Sequence, residues 1–247
     1  MKVFGISLEF NKQKAIEAIV TAINNNMNGY VCVVDGNVLA TAFKNESYRG
    51  IINDAIVNCC DGSSIALLAG WVHKLKLQAF TGPELFAAFA ASGCRQYFLG
   101  NTHEVLDSLS KKLANEGIDV AKMKFETLPL RNVEDFDYPE IANGINRFEA
   151  DIVWVSLGAP KQEQFNSLLV LGIKKGVLIG IGAAFNLYID APTGKRAPLW
   201  MRKANLEWLY RVVQEPDRIG RRAWNYFRII PALIIQERKY IRKTRVS

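Results

Sequence analysis

Residues 151–164, Asp-Ile-Val-Trp-Val-Ser-Leu-Gly-Ala-Pro-Lys-Gln-Glu-Gln, constrain the fold more than any other stretch. Ile152, Val153, Trp154, Val155 and Leu157 form an apolar run too short for a helix and rich in β-branched side chains. Such a run reads as a strand buried on both faces, as in a parallel sheet. Gly158 then allows a tight turn, Pro160 suits a first helical position, and Gln162 and Glu163 fall in the first turn. Ligands of open α/β sheets collect outside the carboxyl ends of the strands. This strand end is therefore expected to bring an amide, an ammonium and a carboxylate to a ligand site. An ordinary β–α turn accounts for the same residues equally well.

The rest of the chain repeats the pattern. Strands are predicted over 3–10, 30–34, 56–60, 96–99, 120–128 and 176–181, with helical periodicity over 12–26, 65–75, 139–148 and 163–171. Residues 38–55 read as helical segments broken near Asn45, and Thr81-Gly82-Pro83-Glu84 opens a further helix with Thr81 as its cap. Parallel neighbours need such crossovers. The expected fold is a Rossmann-like three-layer α/β domain with a parallel sheet over 1–195, followed by a basic, mainly helical C-terminal appendage over 196–247.

With 247 residues, 49% of them hydrophobic, the chain can bury a large core, and wholesale disorder is excluded. No signal peptide and no apolar run of the ~18 residues that span a bilayer is evident, so a cytoplasmic location is expected. Cys32, Cys59, Cys60 and Cys94 lie in or beside apolar runs and are expected as free thiols. Two histidines, and a Cys59-Cys60 pair without ligand spacing, give no zinc pattern. The net charge of +7 is unevenly spread: residues 196–247 carry thirteen Lys/Arg against four Asp/Glu, leaving the first 195 residues at −2. An anionic partner is expected at the tail.

Several strand ends carry polar or Gly-rich turns: Asp35-Gly36-Asn37, Asp61-Gly62-Ser63-Ser64, Gly100-Asn101-Thr102 and the turn at Gly158. Gly180-Ile181-Gly182 adds half of a dinucleotide fingerprint, a weak signal alone. Any one of these could be simple chain reversal. Several on one rim, with N–H groups at helix N-termini, favour a nucleotide-like ligand. Asp61 is expected at the mouth of its strand, where a carboxylate can deprotonate an attacking hydroxyl or cap the next helix. Asp35 reads as a turn residue first and a sugar-hydroxyl acceptor second.

In the tail, Arg211, Arg218, Arg221 and Arg222 flank Pro216, and 224–235 are strongly aromatic and aliphatic before a terminal basic cluster. Basic residues around an apolar surface suit an interfacial helix on anionic lipid. The oily 229–235 run argues against nucleic acid.

Five ordered motifs, Gly158-Ala-Pro-Lys-Gln-Glu163, Gly180-Ile-Gly-Ala-Ala-Phe185, Arg196-Ala-Pro198, Leu206-Glu-Trp-Leu-Tyr-Arg211 and Glu215-Pro-Asp-Arg218, resemble the bacterial WecG/TagA/CpsF glycosyltransferase family. The resemblance implies inverting, metal-independent hexosyl transfer from a UDP-sugar to a polyprenyl-diphosphate-linked saccharide, in surface polysaccharide synthesis such as teichoic acid, capsule or exopolysaccharide. It implies no cofactor, a peripheral site on the inner face of the cell membrane and Asp61 as general base. Gln162 becomes a pocket residue, and Arg211, Arg218 and Arg221 a clamp on the donor diphosphate. Asp35, Gly100, Asn101, Gly158, Glu163, Gly182 and Arg196 complete the expected substrate-binding set. Oligomeric state is left open. The sequence departs from the family pattern at Ala79 (usually Arg), at Glu84 (usually Asp), at Val33-Val34-Asp35 (often Thr-x-Asn) and in the spacing of Phe185 from Arg196. A non-catalytic sugar-nucleotide or lipid-carrier binding protein of the same fold is the alternative reading, supported by Ala79.

Overall fold

The computed structural model describes residues 1–191, 197–198, 200–201, 207–214 and 216–244. The chain opens with a hairpin, β1 (Lys2–Val3) and β2 (Ile6–Ser7), instead of the single strand expected over 3–10. Phe4 and Gly5 make the turn at φ 55° and 81°. Positive φ at both central residues suits the twist of a two-residue hairpin. Residues 8–10 then run beside the main sheet, where Glu9 bridges Cys59 in parallel.

Strands and helices alternate from there. In order they are α1 (Lys12–Asn24), β3 (Asn28–Val34), α2 (Gly36–Lys44), α3 (Glu46–Asn53), β4 (Val57–Cys60), α4 (Ser63–His73), α5 (Gly82–Ala90) and β5 (Gln96–Gly100). There follow α6 (His103–Asn115), β6 (Met123–Glu126), α7 (Tyr138–Phe148), β7 (Ile152–Ser156), α8 (Lys161–Leu169), β8 (Gly176–Gly180) and α9 (Ala184–Tyr188). The tail contributes α10 (Glu207–Gln214) and α11 (Arg221–Thr244). The break at Asn45 has a local cause: its backbone ends α2, and its side chain accepts from Tyr48 N–H to start α3. Thr81 and Glu84 form a complete capping box, so the acid at 84 secures the start of α5. The strand expected over 120–128 is shorter, because 120–122 coil into a single 3₁₀ turn.

The six long strands form one parallel sheet in the order β4-β3-β8-β7-β5-β6. Alternation along the inner strands dictates the layers. Tyr30, Cys32 and Val34 face one side with Val153, Val155 and Leu178, while Val31, Val33, Ile152, Trp154, Val177 and Ile179 face the other. Both faces are apolar, so both must be covered. Helices α2, α3, α4, α7, α8 and α11 cover the first, and α1, α5, α6 and α9 the second. Trp154 is fully buried, and its indole N–H is satisfied by Gln96 Oε1 at 2.8 Å.

Pro231 lies inside an unbroken α11. Proline in a helix interior costs about 3 kcal/mol. Pro231 itself is exposed, while Tyr226, Ile229 and Leu233 on the opposite face are buried in the core. Burial of each large side chain contributes roughly 1.5–3 kcal/mol, which outweighs the proline. The apolar run of the tail is therefore divided, one face in the core and one in solvent.

Candidate active site

The parallel sheet aligns the polar turns found in the sequence. Asp61, Asp35, Gly182 and Gly158 follow β4, β3, β8 and β7, and Gly100-Asn101 close β5, five adjacent strands of the order above. Their turns therefore share one rim, the carboxyl edge where α/β folds bind ligands. Asp35 caps α2, with Oδ1 accepting from Val38 N–H at 2.9 Å, as its reading as a turn residue expects. Asp61 hands its own N–H to Val34 O at 2.9 Å, tying the β4 turn to β3. The cap position of α4 is Gly62, at φ 143° and without a side-chain cap. Asp61, half-buried, thus stands one residue before the cap position and two before the helix.

Two hydrogen-bond networks brace the rim. In one, Asn101, held at φ 67°, donates to Ser156 Oγ at 3.1 Å and to Asn186 Oδ1 at 2.8 Å. Ser156 Oγ donates in turn to Gly182 O at 2.6 Å, so β5, β7 and β8 are cross-linked where they end. Gly100 is required there: a Cβ would meet Ser156 O at 2.8 Å, and its φ is 90°. In the other network, Gln162 Oε1 accepts from Gly158 N–H at 3.2 Å and Gly182 N–H at 2.9 Å. Gln162 Nε2 donates to Glu163 Oε1 at 2.8 Å, and Tyr48 O–H donates to Glu163 Oε2 at 2.9 Å.

Gln162 and Glu163 are 3% and 1% exposed. Of the amide, ammonium and carboxylate expected to face a ligand, two are turned inward, where they hold the two glycine turns in place. The helix starts at Lys161, with Pro160 one position before it after a cis Ala159–Pro160 peptide. Burial pushes the Glu163 carboxyl up to about 7, against the hydrogen bonds from Gln162 and Tyr48. Burial and the same carboxylate drive the Tyr48 phenol far above its usual range. Lys161 is spent locally, on Arg131 O and over the Phe136 ring. A polar groove of about 670 Å³, bordered by Arg131, Asn132, Glu134, Lys161 and Gln164, lies beside it.

The tail reaches the same rim. Arg222 Nη2 lies 3.5 Å from Ala159 O, in the β7 turn, and Tyr226 packs on Gly36, in the β3 turn. Arg221 begins α11 and is exposed. Arg196 lies outside the described residues, as do the side chains of Arg211 and Arg218. Among the described residues no three His, Cys, Asp or Glu side chains are grouped as a metal site requires. Ala79 is partly buried against the core on the α2–α11 side of the sheet.

Sequence reading singled out Arg222 only as part of the basic tail, and it missed Tyr48, Ser156, Asn186 and Tyr226. Ser156 and Asn186 left one signal, a polar residue closing or following an apolar run. The others come from elements distant in sequence and left none.

The chain matches the family model for the glycosyl transferase WecG/TagA/CpsF family over residues 1–243. Its relatives include proteins named N-acetylglucosaminyldiphosphoundecaprenol N-acetyl-beta-D-mannosaminyltransferase. That of Bacillus subtilis (strain 168) is 23% identical over 231 residues, 90% of this chain and 84% of the relative. That of Staphylococcus aureus (strain MW2) is 25% identical over 215 residues, 83% of this chain and 81% of the relative. That of Bacillus spizizenii is 24% identical over 225 residues, 88% and 83% respectively. A parallel α/β sheet with its polar turns on one rim, and a family match along nearly the entire chain, make this protein a glycosyltransferase of the WecG/TagA/CpsF family.

Proposed function

We propose that this enzyme moves a hexosamine-type sugar from a UDP-sugar to a polyprenyl-diphosphate-linked saccharide, with inversion and without a metal, at the inner face of the cell membrane. The observation that carries the reading is the shared rim of Asp61 and the braced glycine turns. In the reaction Asp61 takes the proton of the acceptor hydroxyl, whose oxygen forms a bond to the anomeric carbon. The bond from that carbon to the diphosphate oxygen breaks, and UDP leaves with the electron pair. Backbone N–H groups at the helix N-termini and Arg211, Arg218, Arg221 and Arg196 stabilise the departing charge, as guanidinium groups do for diphosphates. Asp35, Gly100, Asn101, Gly158, Gln162, Glu163 and Gly182 keep the donor pocket in shape. The relatives' names supply the acceptor class, an N-acetylglucosaminyl diphosphate lipid.

The outward face of α11 supports a lipid-facing role. Trp224, Phe227 and Ile235 are exposed there among Arg228, Arg238 and Lys239. Glu237, the one acid of that helix, is turned inward and buried. On α4, Leu67 and Trp71 are exposed one turn apart, Leu75 is exposed just past the end of the helix, and the Arg238 guanidinium sits 4.9 Å above the Trp71 ring. Aromatic and aliphatic groups with surrounding cations and no anion suit an anionic interface. No helix among the described residues is long and apolar enough to cross a membrane.

A screen of UDP-sugars with a short-chain polyprenyl-diphosphate N-acetylglucosamine tests this reading. The expected result is acceptor-dependent UDP release, a product of inverted anomeric configuration and a rate that a chelator leaves unchanged. Ala79, in place of the usual arginine, favours the alternative of a non-catalytic binder. Tight UDP binding with no product from any donor would establish that alternative.

A further inference from the structure

A line of hydrogen bonds runs from α3 to two turns of the rim. It starts where Asn45 Oδ1 accepts from the Tyr48 N–H at 3.0 Å, which fixes the first turn of α3. Tyr48 is 1% exposed, and its hydroxyl donates to Glu163 Oε2 at 2.9 Å. Glu163 Oε1 accepts from Gln162 Nε2 at 2.8 Å. Gln162 Oε1 then accepts from the N–H of Gly158, after β7, and of Gly182, after β8, at 3.2 and 2.9 Å. Both glycines lie outside the sheet and the helices, at φ 76° and 53°. The amide itself lies flat on the last residue of β8, because a Cβ at Gly180 would meet Gln162 Cγ, Cδ and Nε2 at 3.2 Å. Turned over, that amide would set its own N–H groups against those of the two glycines and its oxygen against Glu163.

We propose that Tyr48 is a positioning residue for the donor pocket: through Glu163 it holds the Gln162 amide, and so sets the spacing of the Gly158 and Gly182 turns. The inference rests on the reading of this rim as the site of a UDP-sugar. Plain core packing explains the buried ring of Tyr48. It does not explain the polar line that leaves the ring, since apolar side chains of the same shape would fill that space at lower cost. A buried polar network that is satisfied along its length rigidifies the elements it joins. Here the last atom of the line is shared by the turns of two neighbouring strands, so what it fixes is their separation. With both N–H groups taken by Gln162, the two glycine turns act on a ligand through their placement. Tyr48 touches neither substrate nor the reacting atoms in this account; it acts through two side chains.

A double-mutant cycle in the full chain tests the proposal. Tyr48→Phe removes only the hydroxyl, Gln162→Ala removes the amide it acts through, and the two are combined. UDP affinity is measured by titration calorimetry, donor KM and kcat by UDP release, and exchange of the Gly158 and Gly182 amides by NMR. Tyr48→Phe alone is expected to weaken UDP binding roughly five- to tenfold, part of what a hydrogen bond to a charged group contributes. Donor KM should rise by a similar factor with kcat within about twofold of wild type, and both glycine amides should exchange faster. In the Gln162→Ala background the same substitution should change UDP binding by less than about twofold, because members of one network are not additive. Wild-type UDP affinity in Tyr48→Phe overturns the proposal, as does an equal loss in both backgrounds or a loss carried mainly by kcat. The exchange measurement needs neither ligand nor turnover. If the wild type binds no UDP, the donor-site reading fails by itself, and unchanged exchange at Gly158 and Gly182 in Tyr48→Phe still overturns the role of Tyr48.

Discussion

Glu163 shows how one side chain can do structural work where a ligand contact was expected. Its carboxyl is enclosed beneath the rim, accepts from Gln162 and Tyr48, and is pushed by burial from 4.5 up to about 7. The native state therefore binds a proton between those two values that the unfolded chain has released. Stability from this group is fully present below about pH 4.5 and is lost as pH rises through about 7, a difference on the order of 3 kcal/mol. Glu163→Gln should remove that slope. Urea titrations at pH 5 and pH 8 should give a smaller loss of stability for the variant than for the wild type. Parallel pH profiles for the two proteins would show that the carboxyl is not perturbed. Gln162→Ala strips both glycine N–H groups of their acceptor, at about 1–3 kcal/mol for each buried donor left unpaired. Lower stability together with weaker UDP binding is expected from calorimetry. Unchanged values for both would remove Gln162 as the brace.

At the scale of the element, α11 has two faces with separable jobs. Inward, Glu237 Oε2 accepts from Phe4 N–H at 2.6 Å and Oε1 meets His73 Nε2 at 2.9 Å, joining the C-terminal helix to the N-terminal hairpin and to the end of α4. Glu237→Ala orphans the enclosed Phe4 N–H and removes the ring's partner. A loss of about 2–4 kcal/mol in urea denaturation is expected, and a neutral result would mean that this contact does not hold the helix. Outward, Trp224→Ser, Phe227→Ser and Ile235→Ser together should leave melting nearly unchanged but abolish co-sedimentation with anionic vesicles. Residual wild-type binding in high salt would reflect apolar insertion, which screening does not weaken. Undiminished vesicle binding by the triple variant would assign that face to something other than lipid. Deleting residues 225–247 is no clean test of anchoring, because it strips Tyr226, Ile229 and Leu233 from the core. From the sequence, the amphipathic character of this helix was legible but its division was not. The 229–235 run reads as one oily block, and only the partners on α2 and α4 decide that 229 and 233 face inward while 235 does not.

Across the whole molecule, the fold followed from local patterns. Short β-branched runs ending in glycine or aspartate, each followed by helical periodicity, admit few arrangements besides a parallel three-layer α/β domain. The same logic put Asp61, Asp35, Gly158 and Gly182 at strand ends, since residues after parallel strands share an edge. Contacts between distant elements were not legible: Tyr48 on Glu163, Asn186 on Asn101 and Tyr226 on Gly36 join residues 115, 85 and 190 positions apart. The N-terminal turn was missed for another reason. Phe4 takes a positive φ that side chains seldom adopt, and Gly5 alone carried the signal. The central claim is that these parts converge on Asp61 as the base of a sugar transfer, and one comparison tests it most directly. UDP release by wild type and Asp61→Asn is measured with the donor found by screening, a saturating soluble acceptor and matched melting temperatures. The amide is nearly isosteric, so the fold should persist while transfer falls by ~10²-fold or more; wild-type turnover in Asp61→Asn would contradict the account.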